Sequence, residues 1–310
     1  MYKRSVPLIH ISFCFVFVVY TLAEKECDKI KCPGPLSFYK DLRCVPIHKN
    51  PEDCCAIKYD CSHLKDRSTS KCYVNDNIYQ IGEELKKEDA QPCDTDCICE
   101  EGYGGIASFS CAEVDCGYHE PVNDGCYIDQ SSDQCCPDRI ICPDNPATCL
   151  VDGKILKEGD YFEIKDQPNT SCYCKPGYTG ENVEPFCHTP KGSFCGTEMR
   201  NSYEIREKCA PVYYYTQSPQ TSCSVSYRCQ NKNDTLISHP ETRNGLDSDK
   251  INTCKFGNIV MQIGDELNQA TDYSSVCVKC KCEVPPIPTC QRLSDDECDV
   301  TIHPKFESNY

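Results

Sequence analysis

Cys72-Tyr-Val-Asn-Asp-Asn-Ile-Tyr-Gln-Ile-Gly82, closed further on by Cys97-Ile-Cys99, is the stretch on which the reading of this chain turns, because it recurs from Cys149 and again from Cys254. In all three copies a glycine lies ten residues after the leading cysteine (Gly82, Gly159, Gly264), and an acidic residue follows it (Glu83, Asp160, Asp265). A Cys-x-Cys comes later in each, at Cys97 and Cys99, Cys172 and Cys174, and Cys280 and Cys282. This is an internal repeat, so the copies are read together. Turn residues recur at matching offsets as Asn75-Asp76-Asn77, Asp152-Gly153 and Gly257-Asn258, types that tolerate the positive φ of a tight hairpin. Apolar or β-branched residues flank each turn, as in Cys149-Leu-Val151 before it and Ile155-Leu156 after it. Each copy therefore predicts a small β-hairpin module.

Composition sets the class. Thirty-one cysteines in 310 residues is a density of disulfide scaffolds in oxidising compartments. Residues 1–23 read as a signal peptide: Lys3 and Arg4 precede an apolar run from Val6 to Leu22, and Thr21-Leu22-Ala23 offers a small-residue cleavage site. A membrane anchor fits less well, since His10 interrupts a run already short for a span, and no later stretch is apolar enough to cross a bilayer. Cleavage would remove Cys14, leaving thirty cysteines, an even count that permits complete pairing. It would also take the formal charge from −16 to −18, which argues against nucleic acid and other polyanions as partners. The expected form is a string of small units, each stapled by disulfides, rather than one large core.

In chain order, residues 24–65 carry Cys27, Cys32, Cys44, the adjacent Cys54-Cys55, and Cys61. The same order recurs as Cys111, Cys116, Cys126, Cys135-Cys136 and Cys142, so the first segment reads as the second half of a module. Residues 72–142 form one complete ten-cysteine copy, residues 149–229 a reduced copy with eight cysteines, and residues 254–298 a copy with the first six only. Residues 230–253, without cysteine before Cys254 and rich in Asn, Asp, Ser and Thr, read as a polar linker, and residues 299–310 as a tail. Asn169-Thr-Ser171 and Asn233-Asp-Thr235 are glycosylation sequons.

With its Cys93-x3-Cys97-x-Cys99 and later Cys135-Cys136, the complete copy resembles the von Willebrand factor type C module, also called the chordin-like cysteine-rich repeat. The resemblance implies a small, disulfide-rich, mainly β fold: tandem modules of short antiparallel hairpins in an extended multi-module chain. It also implies a pairing: Cys72 with Cys99, Cys93 with Cys135, Cys97 with Cys111, Cys116 with Cys136, and Cys126 with Cys142. The reduced copy lacks counterparts of Cys93 and of one member of the Cys135-Cys136 pair, two positions that the family joins to each other. The same pattern there implies Cys149 with Cys174, Cys172 with Cys187, Cys195 with Cys223, and Cys209 with Cys229. Carried to the ends of the chain, it would leave Cys277 for Cys298, and would give Cys32 with Cys55, Cys44 with Cys61 and Cys27 with Cys54. The chain departs from the family in having Leu85-Lys86-Lys87 where the family usually carries a tryptophan. The eight-cysteine copy is also similar to single-domain type C proteins of arthropods.

Chemistry is sparse. His48, His63, His119, His188, His239 and His303 have no partner at metal or triad spacing. In an oxidising compartment the disulfide reading of Cys93, Cys97 and Cys99 outweighs a zinc site. No phosphate loop or calcium loop is present. The expectation is no enzyme, no cofactor and no metal. What remains is binding of an extracellular protein ligand. By resemblance, this would be modulation of a bone morphogenetic protein-type growth factor; the alternatives are an arthropod secreted defence, salivary or venom factor, or an extracellular matrix spacer. Tyr213-Tyr214-Tyr215 is a candidate contact surface, since tyrosine gives large contact area at low entropic cost. The competing reading is a strand whose alternate tyrosines pack on the disulfides.

Overall fold

The computed structural model describes residues 31–117, 122–129, 134–136, 139–164, 167–188, 195–238 and 252–306. The signal-peptide stretch, Cys27 and residues 239–251 lie outside these. Among the described residues the fold is mostly small antiparallel sheets linked by disulfides, with one six-stranded mixed sheet and a few helices of at most six residues.

Each repeat begins with a hairpin. Lys71–Val74 pairs with Asn77–Gln80, Thr148–Val151 with Lys154–Lys157, and Thr253–Phe256 with Ile259–Gln262. The turns take the left-handed conformation at Asn75 and Asp76, at Asp152 and Gly153, and at Gly257, as the right-handed twist of a two-residue hairpin requires. Alternation then sorts the side chains. The opposed pairs Cys72 with Tyr79 and Cys254 with Met261 are buried, and Cys149 opposite Leu156 faces inward in the same way.

The glycine and acid that follow have one job in all three copies. Gly82, Gly159 and Gly264 sit at φ +90°, +90° and +93°. Their amides donate to the carbonyls of Cys99, Cys174 and Cys282, each at 2.8 Å. The amides of those cysteines donate back to the carbonyls of Glu83, Asp160 and Asp265, each at 2.9 Å. The acid's carboxylate closes the turn by accepting from the amide of Gln80, Lys157 or Gln262 at 2.7–2.8 Å. The motif thus clips each hairpin to its Cys-x-Cys strand, and Cys72–Cys99, Cys149–Cys174 and Cys254–Cys282 bridge the same junction at Cα separations of 5.9, 5.7 and 5.7 Å. Cys97–Cys111, Cys172–Cys187 and Cys280–Cys290 tie that strand to the next.

The second halves are looser. Among the described residues each holds two internal bridges: Cys32–Cys55 with Cys44–Cys61, Cys116–Cys136 with Cys126–Cys142, and Cys195–Cys223 with Cys209–Cys229, and Cys54 is also disulfide-bonded. Cys93–Cys135 links the two halves of the complete copy, and Cys277–Cys298 closes the last.

Each second half packs on the first half that follows it. Arg43 pairs with Asp76 and donates to Asn75 at 2.9 Å. The Tyr127 phenol donates to Glu158 at 2.8 Å while Lys175 lies 3.4 Å from Asp129. Ala210–Tyr213 runs parallel to Thr289–Arg292, with Val212 opposite Cys290, inside a six-stranded sheet. Two further sets of contacts bring distant segments together. Met199 enters the core of the first hairpin unit beside Tyr79, and Glu198 pairs with Arg67. Phe38, Tyr39 and Leu42, on one face of the short helix Leu36–Asp41, pack with Val284 and Ile287. The Tyr39 hydroxyl donates to the Val284 carbonyl at 2.7 Å, and the Gly34 amide donates to Glu283 at 3.1 Å. The first and last segments therefore meet, where a string of modules laid end to end would hold them apart.

The linker reading of residues 230–253 is corrected at its start. Leu236–Ile237 pairs with Glu266–Leu267, and Asp234 is buried. The cause is Arg228, a guanidinium with no exposed surface that needs a counter-charge beside it. Asp234 meets its guanidinium at 2.6 Å and the Asn268 carbonyl accepts from it at 2.8 Å. The Phe256 ring lies beneath, its centroid 5.7 Å away.

Candidate binding surfaces

The hairpin face opposite the cysteines carries exposed apolar side chains in all three repeats. Register places Tyr73 against Ile78, Leu150 against Ile155, and Lys255 against Val260 on that face. Ile78 is 56% exposed and Val260 52%, while Leu150 and Ile155 reach 68% and 75%. An exposed aliphatic cross-strand pair in a disulfide-stapled hairpin is a rigid contact surface. Its signal in the sequence is the apolar run on each side of the turn, Cys149-Leu-Val151 and Ile155-Leu156, which does not say which of these residues faces outward.

The tyrosine run is divided by the end of its strand. Tyr213, the last residue of Ala210–Tyr213, has no exposed surface, and burial pushes its phenol pKa upward. Tyr214 and Tyr215 lie past the strand at 49% and 57% exposure, their carbonyls accepting from the Gln291 side chain at 3.3 and 3.5 Å. Tyr203 packs edge-on against Tyr103, ring centroids 4.7 Å apart.

Of the two sequons, Asn233 is exposed, with its side-chain amide donating to the Thr271 carbonyl at 3.4 Å. Asn169 falls in the strand Gln167–Tyr173, and its side chain lies outside the described residues.

The cysteine-rich clusters have a covalent explanation. The sulfurs of Cys116, Cys135 and Cys136 lie within 4.8 Å of one another, as do those of Cys32, Cys54 and Cys55. All six are in disulfides, so none offers a thiolate to a metal. They converge because two bridges leave each Cys-Cys pair side by side. Of the histidines, the His63 ring lies 2.9 Å from the Leu42 carbonyl, and His303 stacks on Phe306. Among the described residues no helix is long and apolar enough to cross a membrane.

The fold defines a class: a disulfide-rich chain of tandem cysteine-rich β modules. Comparison with known proteins points the same way. The chain is similar to the cysteine-rich motor neuron 1 protein of Gallus gallus, 26% identical over 211 residues, and to that of Homo sapiens, 26% identical over 163 residues. The matches cover 66% and 52% of this chain but only 17% and 13% of those relatives, so the chain spans less than a fifth of their length. No family model and no solved structure matches.

Proposed function

We propose that this chain is a secreted, non-enzymatic binding protein whose type C-like modules engage an extracellular growth factor of the bone morphogenetic protein type and modulate its availability. The observation that carries the reading is the thrice-repeated hairpin, with apolar residues exposed on the face away from its cysteines, in a chain similar over 211 residues to a cysteine-rich motor neuron protein. The contact is centred on Leu150 and Ile155, with Tyr214 and Tyr215 as a second patch and glycans on Asn169 and Asn233. The formal charge of −16 favours a basic partner and predicts association that slows as salt rises.

Affinity capture of the purified full chain on a panel of immobilised growth factors tests this. The expected result is saturable binding to at least one. The double variant Leu150→Asp, Ile155→Asp should then be secreted normally and bind about tenfold more weakly or worse, as for loss of a buried anchor. Failure of every growth factor at micromolar concentration removes the growth-factor reading.

A further inference from the structure

Where three distant segments meet, the molecule forms an open cleft of about 930 Å³, a size that accommodates a small organic ligand. One wall comes from residues 59–65, another from 203–209, and the third from 253–258 with Pro286 and Ile287. The lining is mixed: the half-buried Tyr59, Leu64, Ile205 and Ile287 give it apolar surface, backed by the buried Phe38 and Leu42, and polar groups make up the rest.

The charges around it invert those of the chain. The whole molecule has 48 acidic residues against 32 basic, yet this cleft is lined by Lys65, Arg206, Lys208 and Lys255 against only Asp60 and Glu207. The Asp60 carboxylate already accepts from the Ser62 amide at 2.9 Å. The Arg206 guanidinium donates to the Arg67 carbonyl at 2.9 Å, which leaves its charge uncompensated by that bond. Lys208 and Lys255 are exposed at the rim, and among the described residues neither is paired with a carboxylate.

The walls are tied to one another by backbone bonds. The Tyr59 amide donates to the Pro285 carbonyl at 2.9 Å, the Lys255 amide to that of Pro286 at 2.7 Å, and the Gly257 amide to that of Lys208 at 3.3 Å. The Asn258 amide donates to the Gln230 side chain at 2.7 Å. Bridges Cys44–Cys61, Cys209–Cys229 and Cys254–Cys282 brace the three segments. The space is therefore preformed, and a ligand entering it incurs little ordering cost from the protein.

We propose that this junction is a binding site for an amphipathic organic anion, an apolar chain or ring system ending in a carboxylate or sulfonate. The apolar body would lie against Tyr59, Leu64, Ile205 and Ile287, and the anionic group would be held by Lys208 and Lys255. The site takes one wall, including Lys255, from the third hairpin and is separate from the Leu150 and Ile155 surface on the second.

Titration of the full chain with anilinonaphthalene sulfonate, an apolar ring system bearing one sulfonate, tests the site by fluorescence. The expected result is one-to-one saturation that weakens as salt rises. Dodecanoate should displace the probe, while dodecanol and dodecyltrimethylammonium displace it about tenfold less well or worse. The double variant Lys208→Glu, Lys255→Glu should lower probe affinity about tenfold or more, whereas Lys154→Glu, on a hairpin remote from the cleft, should leave it unchanged. If the double variant is not secreted, the charge preference among the competitors on the unaltered chain decides. Displacement indifferent to competitor charge, or affinity unaltered in the double variant, overturns the proposal.

Discussion

Arg228 shows how one residue decides the state of a segment. A guanidinium without solvent exposure needs a counter-charge and acceptors, and Asp234, the Asn268 carbonyl and the Phe256 ring provide them. Removing one partner leaves the other charge buried alone, so Asp234→Ala should cost about 3 to 5 kcal/mol in denaturant unfolding followed by tyrosine fluorescence. Replacing the pair together, as Arg228→Met with Asp234→Leu, should recover much of that loss. This contact was not legible in the sequence. Composition around Asp234 is polar and reads as a linker, and nothing local announces that Arg228, at the end of a strand, turns inward. The tyrosine run was half legible, because alternation separates neighbours without saying which faces the core or where the strand stops. With Tyr213 buried and Tyr214 at 49% exposure, Tyr213→Ser should lower secreted yield. Tyr214→Ser should leave yield intact and, if it is a contact, weaken capture of the partner.

The hairpins were the most legible elements, since turn chemistry, the apolar or β-branched residues flanking each turn and cysteine spacing all agree in each copy. The glycine and acid after them were visible as a motif, but their hydrogen bonds reach a strand fifteen or more residues away and were not. Their positive φ makes a separable prediction. A Cβ at Gly82 would meet nothing within 4 Å, whereas one at Gly159 would come within 2.3 Å of the Tyr127 ring. Gly82→Ala should therefore cost only the backbone strain of about 1 to 3 kcal/mol. Gly159→Ala should cost more, and should also loosen the contact of Tyr127 with Glu158 beside the hairpin from Thr148. In the first hairpin, burial and then the hydrogen bond to Asp89 push the Tyr79 phenol up to about 12. The unfolded chain, with an ordinary tyrosine near pH 10, releases that proton first. Stability from this group is thus complete below about pH 10 and declines as pH rises toward 12. The slope in short alkaline unfolding measurements should shrink in Tyr79→Phe.

At the scale of the whole molecule, cysteine order made the repeat legible and left the assembly hidden. Contacts such as Tyr39 with Val284, 245 residues apart, and the parallel pairing of Val212 with Cys290 join parts of different modules, and no local pattern encodes them. Such packing distributes stability, so that no one bridge carries the fold. The reduced copy, which lacks counterparts of two cysteines, implies that Cys93–Cys135 is dispensable. Cys93→Ser with Cys135→Ser should be secreted and fold at a cost of about 2 to 5 kcal/mol. Either single variant should leave a thiol that forms misbridged dimers. Pairing is also what the account as a whole rests on, because it fixes which half belongs to which module and hence which faces are outside. Peptide mapping of the unreduced protein tests it most directly. The account predicts Cys93 joined to Cys135, Cys116 to Cys136 and Cys254 to Cys282. Cys93 joined to Cys97 or Cys99, or Cys135 joined to Cys126, would contradict the module framing and the surfaces derived from it.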